Sequence, residues 1–66
     1  MDKMMIEALE KRYEAIISES YAIISIYLKQ AVGIGEHPQH LDEIDKLVGR
    51  ICEAEHKIEV IQNLKI

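Results

Sequence analysis

The sequence predicts an all-α protein, an antiparallel two-helix hairpin that self-associates into a four-helix bundle. Three observations lead there. Apolar residues recur at heptad spacing in both halves of the chain, the one cluster of helix breakers falls near the middle, and the first half carries more apolar surface than a single neighbouring helix can cover. Residues 1–66 are expected to form one domain, with a helix over about 3–32, a loop over about 33–37 and a second helix over about 38–64.

In the first half, Ile6, Leu9, Tyr13, Ile16, Ser20, Ile23, Tyr27 and Gln30 follow one another in alternating steps of three and four. This 3.5-residue period keeps one seam turned toward a partner helix over many turns. Between Ala15 and Leu28, however, Ile16, Ile17, Tyr21, Ala22, Ile23, Ile24, Ile26, Tyr27 and Leu28 point in nearly every direction around the axis. A helix apolar on several sides is normally buried on several sides. Of these, Ile16, Ile17, Tyr21, Ile23, Ile24 and Tyr27, together with Ile51 and Ile58 of the second helix, are the expected surface for a homodimer or higher oligomer.

The break is Gly33-Ile34-Gly35-Glu36-His37-Pro38. Gly33 suits the left-handed closure of a helix, which would fold Ile34 back onto Leu28, and Pro38 suits a first helical turn, where its missing N–H is not needed. A connection this short implies antiparallel neighbours. Gly35 adds backbone freedom, while Glu36 and His37 present polar groups ahead of a helix start that favours an anion or caps itself.

In the second half the stripe reads Leu41, Ile44, Val48, Ile51, Glu55, Ile58 and Gln62. It places Glu55 in the apolar seam, near Tyr13 and Ser20 of the first helix. A single polar seam residue of this kind fixes register at some cost in stability.

Composition excludes several function classes. Apolar residues make up 48% and charged residues 30% of 66 residues, too apolar for a disordered segment and too charged for a membrane span. The net charge of −4, with its cations scattered singly, argues against nucleic acid. One cysteine cannot form an internal disulfide, so association is the remaining staple for so small a chain. The lone cysteine, and a start that runs directly into helical pattern, point to a cytoplasmic setting.

Chemistry-bearing residues are few. Glu53 and His56 have the Glu-x-x-His spacing of di-iron carboxylate bundles, and Glu19 would supply a further carboxylate, so dimerisation would complete a metal site. On a helical wheel, however, Glu53 and His56 lie opposite Ile44, Ile51 and Ile58. His37 and His40 form at most a weak two-ligand site, and Cys52 reads as a half-buried packing residue. Neither a phosphate cradle nor a nucleophilic constellation is visible. The expected function is that of a non-catalytic structural or interaction module without a cofactor. A metal-binding bundle is the alternative, and docking on another protein through the first helix is a third reading.

The run Tyr27-Leu28, Val32-Gly33-Ile34-Gly35-Glu36-His37-Pro38, Ile44-Asp45 and Ala54-Glu55 resembles small helical-hairpin proteins of tailed phages that infect marine cyanobacteria. The likeness spans most of residues 10 to 64 and is most distinctive in the Gly-Ile-Gly-Glu-His-Pro loop. It implies a phage accessory protein in the host cytoplasm or the virion, with a host or phage protein as a further potential partner, and it carries no activity to transfer.

Overall fold

A computed structural model describes residues 3–31 and 38–64. They form α1, Lys3–Ala31, and α2, Pro38–Gln62, and no strand occurs among the described residues. The helices pack against each other in an elongated body of 50 × 14 × 11 Å. Cross-hairpin partners run in opposite directions along the chain: Tyr27 meets His40, Glu19 meets Arg50, Tyr13 meets Lys57 and Glu10 meets Gln62. That order makes the pair antiparallel. Beyond Gln62 the chain tightens into a turn, with Asn63 N donating to Val60 O (3.1 Å) and Leu64 N to Ile61 O (3.0 Å), the short-range closure common where a helix ends. Gly33, Gly35, Glu36 and His37, and the expected contact of Ile34 with Leu28, lie outside the described residues, as does the Gln30 side chain.

The α1 seam follows the heptad reading. Ile6 and Ser20 are buried, and Leu9, Tyr13, Ile16, Ile23 and Tyr27 are half-buried.

The α2 seam does not follow it. Ile44, Ile51 and Ile58 face α1 as expected, but the positions between them are Leu47, Ala54 and Ile61, all buried, with half-buried His40 before them. The expected alternates Val48, Glu55 and Gln62 are exposed, and Leu41 is 72% exposed. Glu55 is therefore corrected from a seam residue to a surface residue. The physical reason lies in the choice that a heptad leaves open. From Ile44, Ile51 and Ile58 the second seam position is reached by a step of three or of four. Steps of three collect leucine, alanine and isoleucine, whereas steps of four would bury the Glu55 carboxylate and the Gln62 amide. Ala54, 3% exposed, occupies the place that Glu55 was expected to take.

The hairpin core is thin. Its buried apolar residues among those described are Ile6, Leu47, Ile51, Ala54 and Ile61. Ile51, expected at an oligomer interface, is buried within the hairpin of the single chain.

Gly49 sits mid-helix in α2, and a Cβ added there meets nothing within 4 Å. Its backbone freedom is lost on folding with no packing gained in return. Gly49→Ala is expected to raise stability by about 0.5–1 kcal/mol. A thermal melt followed by circular dichroism should show a gain of several degrees, since about 1 kcal/mol shifts the midpoint of a domain this small by roughly 4–8 °C.

Candidate functional site

The two flanks of the hairpin differ in chemistry. On one, Arg50 Nη1 donates to Glu19 Oε1 at 3.4 Å, Lys57 Nζ donates to Glu53 Oε1 at 2.9 Å, and the same ammonium stands 5.5 Å from the centre of the Tyr13 ring. Tyr13, Ile16, Arg50, Glu53, Ala54 and Lys57 line a crevice of only about 80 Å³ here. That volume admits a few water molecules and no substrate. The hydrogen bond and charge of Lys57 hold the Glu53 carboxyl below the usual carboxylate range, and Glu53 in turn raises the Lys57 ammonium. The contribution of this pair is present between the two pKa values. It is lost as pH falls through the lowered value of Glu53, and again as pH rises through the raised value of Lys57. Both groups are open to solvent, so the pair is a minor contributor.

The opposite flank is marked by Gln62 Nε2 donating to Glu10 Oε2 at 3.0 Å. Glu10 and Glu19 stand about 180° apart around α1, which places this contact across the hairpin from the Glu19–Arg50 pair. Leu28 lies about five turns along α1 from Glu10 on the same line, with Tyr21 within about 20° of it. Val48 and Leu41 lie on the corresponding side of α2, within about 60° of Gln62. Tyr21 and Leu28 are each 56% exposed and Val48 45%, while Ile17 and Ile24 beside them are half-buried. Tyr21, Ile24, Ser25, Leu28 and Lys29 line a shallow open depression on this surface. The result is a mainly apolar strip on one flank, near the end where α1 stops and α2 begins, with Ser25 and Lys29 of α1 and Asp45 of α2 at its margin. Scattered apolar residues are ordinary on a soluble protein, but a contiguous strip on a hairpin with so small a core calls for a physical reason.

The residues expected at an oligomer interface are thus distributed among three settings. Ile51 is buried within the hairpin, and Ile16, Ile23, Tyr27 and Ile58 are half-buried along its seam. Ile17, Tyr21 and Ile24 lie on the apolar flank. Leu28, Val48 and Leu41 belong to that flank as well, although Val48 and Leu41 were expected in the seam. The signal was present in the sequence: once Glu55 and Gln62 are moved out of the seam, Val48 and Leu41 go with them.

The metal-site candidates are not brought together within one chain. Glu19 pairs with Arg50, Glu53 pairs with Lys57, and His56 is exposed. Among the described residues no group of three or more histidine, cysteine, aspartate or glutamate side chains is placed to hold a metal ion. His40 is half-buried, its ring 5.3 Å from that of Tyr27 and tilted by 54°. Cys52 is a free thiol and exposed, in place of the half-buried packing expected for it. Among the described residues, no helix is long and apolar enough to cross a membrane.

No protein-family model, curated protein or solved structure matches this chain.

Proposed function

We propose that this chain is a non-catalytic interaction module that works by self-association, two hairpins pairing into a four-helix bundle. The observation that carries this reading is the apolar strip of Tyr21, Leu28, Val48 and Leu41, bordered by Ile17 and Ile24. A hairpin with few buried side chains gains most from covering such a strip, and a second copy presents a matching one. Each face is mainly apolar where it meets the other, so association buries chiefly hydrocarbon, with Lys29 and Asp45 at the margin where they can stay hydrated. The phage setting implied by the loop sequence fits a small accessory protein of this kind in the host cytoplasm, and rests on that resemblance alone.

Sedimentation equilibrium or light scattering at micromolar concentration tests the reading. The unaltered chain should have the mass of a dimer or a higher oligomer. Replacing Tyr21 and Val48 together by aspartate should shift the distribution to monomer, because two charges would then face hydrocarbon across the interface. A monomeric unaltered chain, or a doubly substituted chain that associates as before, would overturn it.

A further inference from the structure

The charges of α2 are sorted by side. Its lysine and arginine residues among those described, Lys46, Arg50 and Lys57, stand about 160–180° around the helix from Val48, and each already holds a carboxylate on that side, Glu43, Glu19 and Glu53 respectively. Asp45, Glu55 and Glu59 stand within about 60° of Val48, along the line that Leu41 and Val48 begin, and all three are exposed. No ion pair among the described residues engages them. The α1 edge of the same flank carries both signs: Glu7, Glu10 and Glu14 stand with Lys3, and Lys11 and Lys29 lie at its outer margin. Even with both margin lysines counted, six carboxylates stand against three ammonium groups, and the α2 edge carries none of the three.

We infer that the apolar strip also seats a basic amphipathic helix of another protein, which takes the place of the second copy, its apolar side on Tyr21, Leu28, Val48 and Leu41 and its basic side over Asp45, Glu55 and Glu59. This rests on the strip proposed above for self-association and names a competitor for it. Charge complementarity selects the occupant. A second copy matches the hydrocarbon but brings the same excess of acid, whereas a partner with lysine or arginine beside its apolar stripe matches both. The partner is a helix because α1 and α2 satisfy their own backbone groups. The flank therefore offers side chains alone, and an extended segment laid on it would leave its inward N–H and C=O groups without partners. From Leu41 to Glu59 α2 runs about 27 Å, so a helix of about 18 residues covers the whole line. Nucleic acid and anionic lipid surfaces are repelled by the same carboxylates.

The probe is a synthetic helix of about 18 residues, with leucine along one side, lysine along the other and a fluorophore at one end. Fluorescence anisotropy against the full chain should show saturable binding, and the same peptide with glutamate in place of lysine should not bind. Neutralising the edge, by Asp45→Asn with Glu55→Gln and Glu59→Gln, should weaken binding about tenfold, as expected for the loss of three exposed charge pairs. Asp42→Asn with Glu43→Gln and Glu53→Gln removes the same net charge at about 120–140° from Val48, and should change the affinity by less than about twofold. Equal weakening by the two sets would show attraction by net charge alone and overturn the docking site, as would a probe that does not bind. Sedimentation of the mixture should show the dimer replaced by a complex of one hairpin with one peptide, and a peptide bound to an intact dimer would overturn the shared strip. The mass of the chain without peptide tests self-association separately. A monomer that binds the probe with the same dependence on Asp45, Glu55 and Glu59 would overturn self-association and leave this docking site in place.

Discussion

Ala54→Glu is expected to destabilise the hairpin by about 3 kcal/mol or more, while the neighbouring Glu55→Ala changes stability by less than about 0.5 kcal/mol. The two positions are adjacent in sequence and opposite in environment. Ala54 is 3% exposed and Glu55 is exposed. A glutamate at 54 adds bulk where α1 packs and brings a carboxylate into the crevice between Tyr13 and Ile16. Arg50 and Lys57 line that crevice, but each already holds a carboxylate, Glu19 and Glu53 respectively, so the new charge must compete for a partner. Because small domains rarely hold more than about 3–5 kcal/mol in reserve, the substitution should leave much of the population unfolded at room temperature. Urea titrations of both variants, followed by far-ultraviolet ellipticity, measure the contrast. Ala22→Glu on the exposed face of α1 controls for the change of residue type and should cost little. If Ala54→Glu were tolerated and Glu55→Ala gave a large gain, the seam would pass through Glu55 after all.

That contrast also marks where the sequence was legible. Two long helices and the break between them are strong local signals, because heptad spacing sustained over seven or eight positions rarely arises except in a helix packed along one seam, and glycine with proline interrupts it at one place. The α1 seam was readable because its stripe stays apolar at nearly every level. In α2 both continuations from Ile44 began with an apolar residue, Leu47 or Val48, and the choice is settled only further along, where Ala54 and Ile61 stand against Glu55 and Gln62. Extending the stripe from Leu41 and Ile44 leads to Val48 and from there to Glu55. Desolvation acts on the set as a whole, and a carboxylate in the seam outweighs the small loss in apolar bulk at Ala54. The candidate surface inherited the same ambiguity. Tyr21, Ile17 and Ile24 were visible as excess apolar residues on α1, whereas Val48 and Leu41 became visible as their partners across the flank only after the α2 seam had been shifted by one residue. The metal reading rested on spacing alone. Spacing places Glu53 and His56 on one side of a helix, but it does not show that Lys57, one turn on from Glu53, is the nearer partner for that carboxylate.

Ser20→Ala is expected to stabilise the hairpin, by about 1–2 kcal/mol, although Ser20 is the most deeply buried polar residue among those described. Its relative exposure is 0%, and its Oγ has no hydrogen-bond partner. A buried hydroxyl without a partner costs about 1–3 kcal/mol, and alanine is also the better helix former by roughly half a kcal/mol. Against these stands the loss of the oxygen's packing contacts, a fraction of a kcal/mol each and few in number for a single atom. Size limits the choice of replacement. Ser20 neighbours Glu19, whose partner is Arg50, so in the antiparallel pair it lies at the level of Gly49, between the buried Leu47 and Ile51 of α2, where a small residue on α1 leaves room for large ones opposite. Ser20→Leu would overfill that level and should cost about 1–3 kcal/mol. Equilibrium unfolding of the three chains should therefore rank alanine above serine and serine above leucine. Because Ser20 faces the interior of the hairpin and not its apolar flank, the alanine chain should keep the oligomeric mass of the parent. A loss of stability in Ser20→Ala would show that the hydroxyl is satisfied in solution by a bound water, and that the seam at this level is wetter than its burial implies.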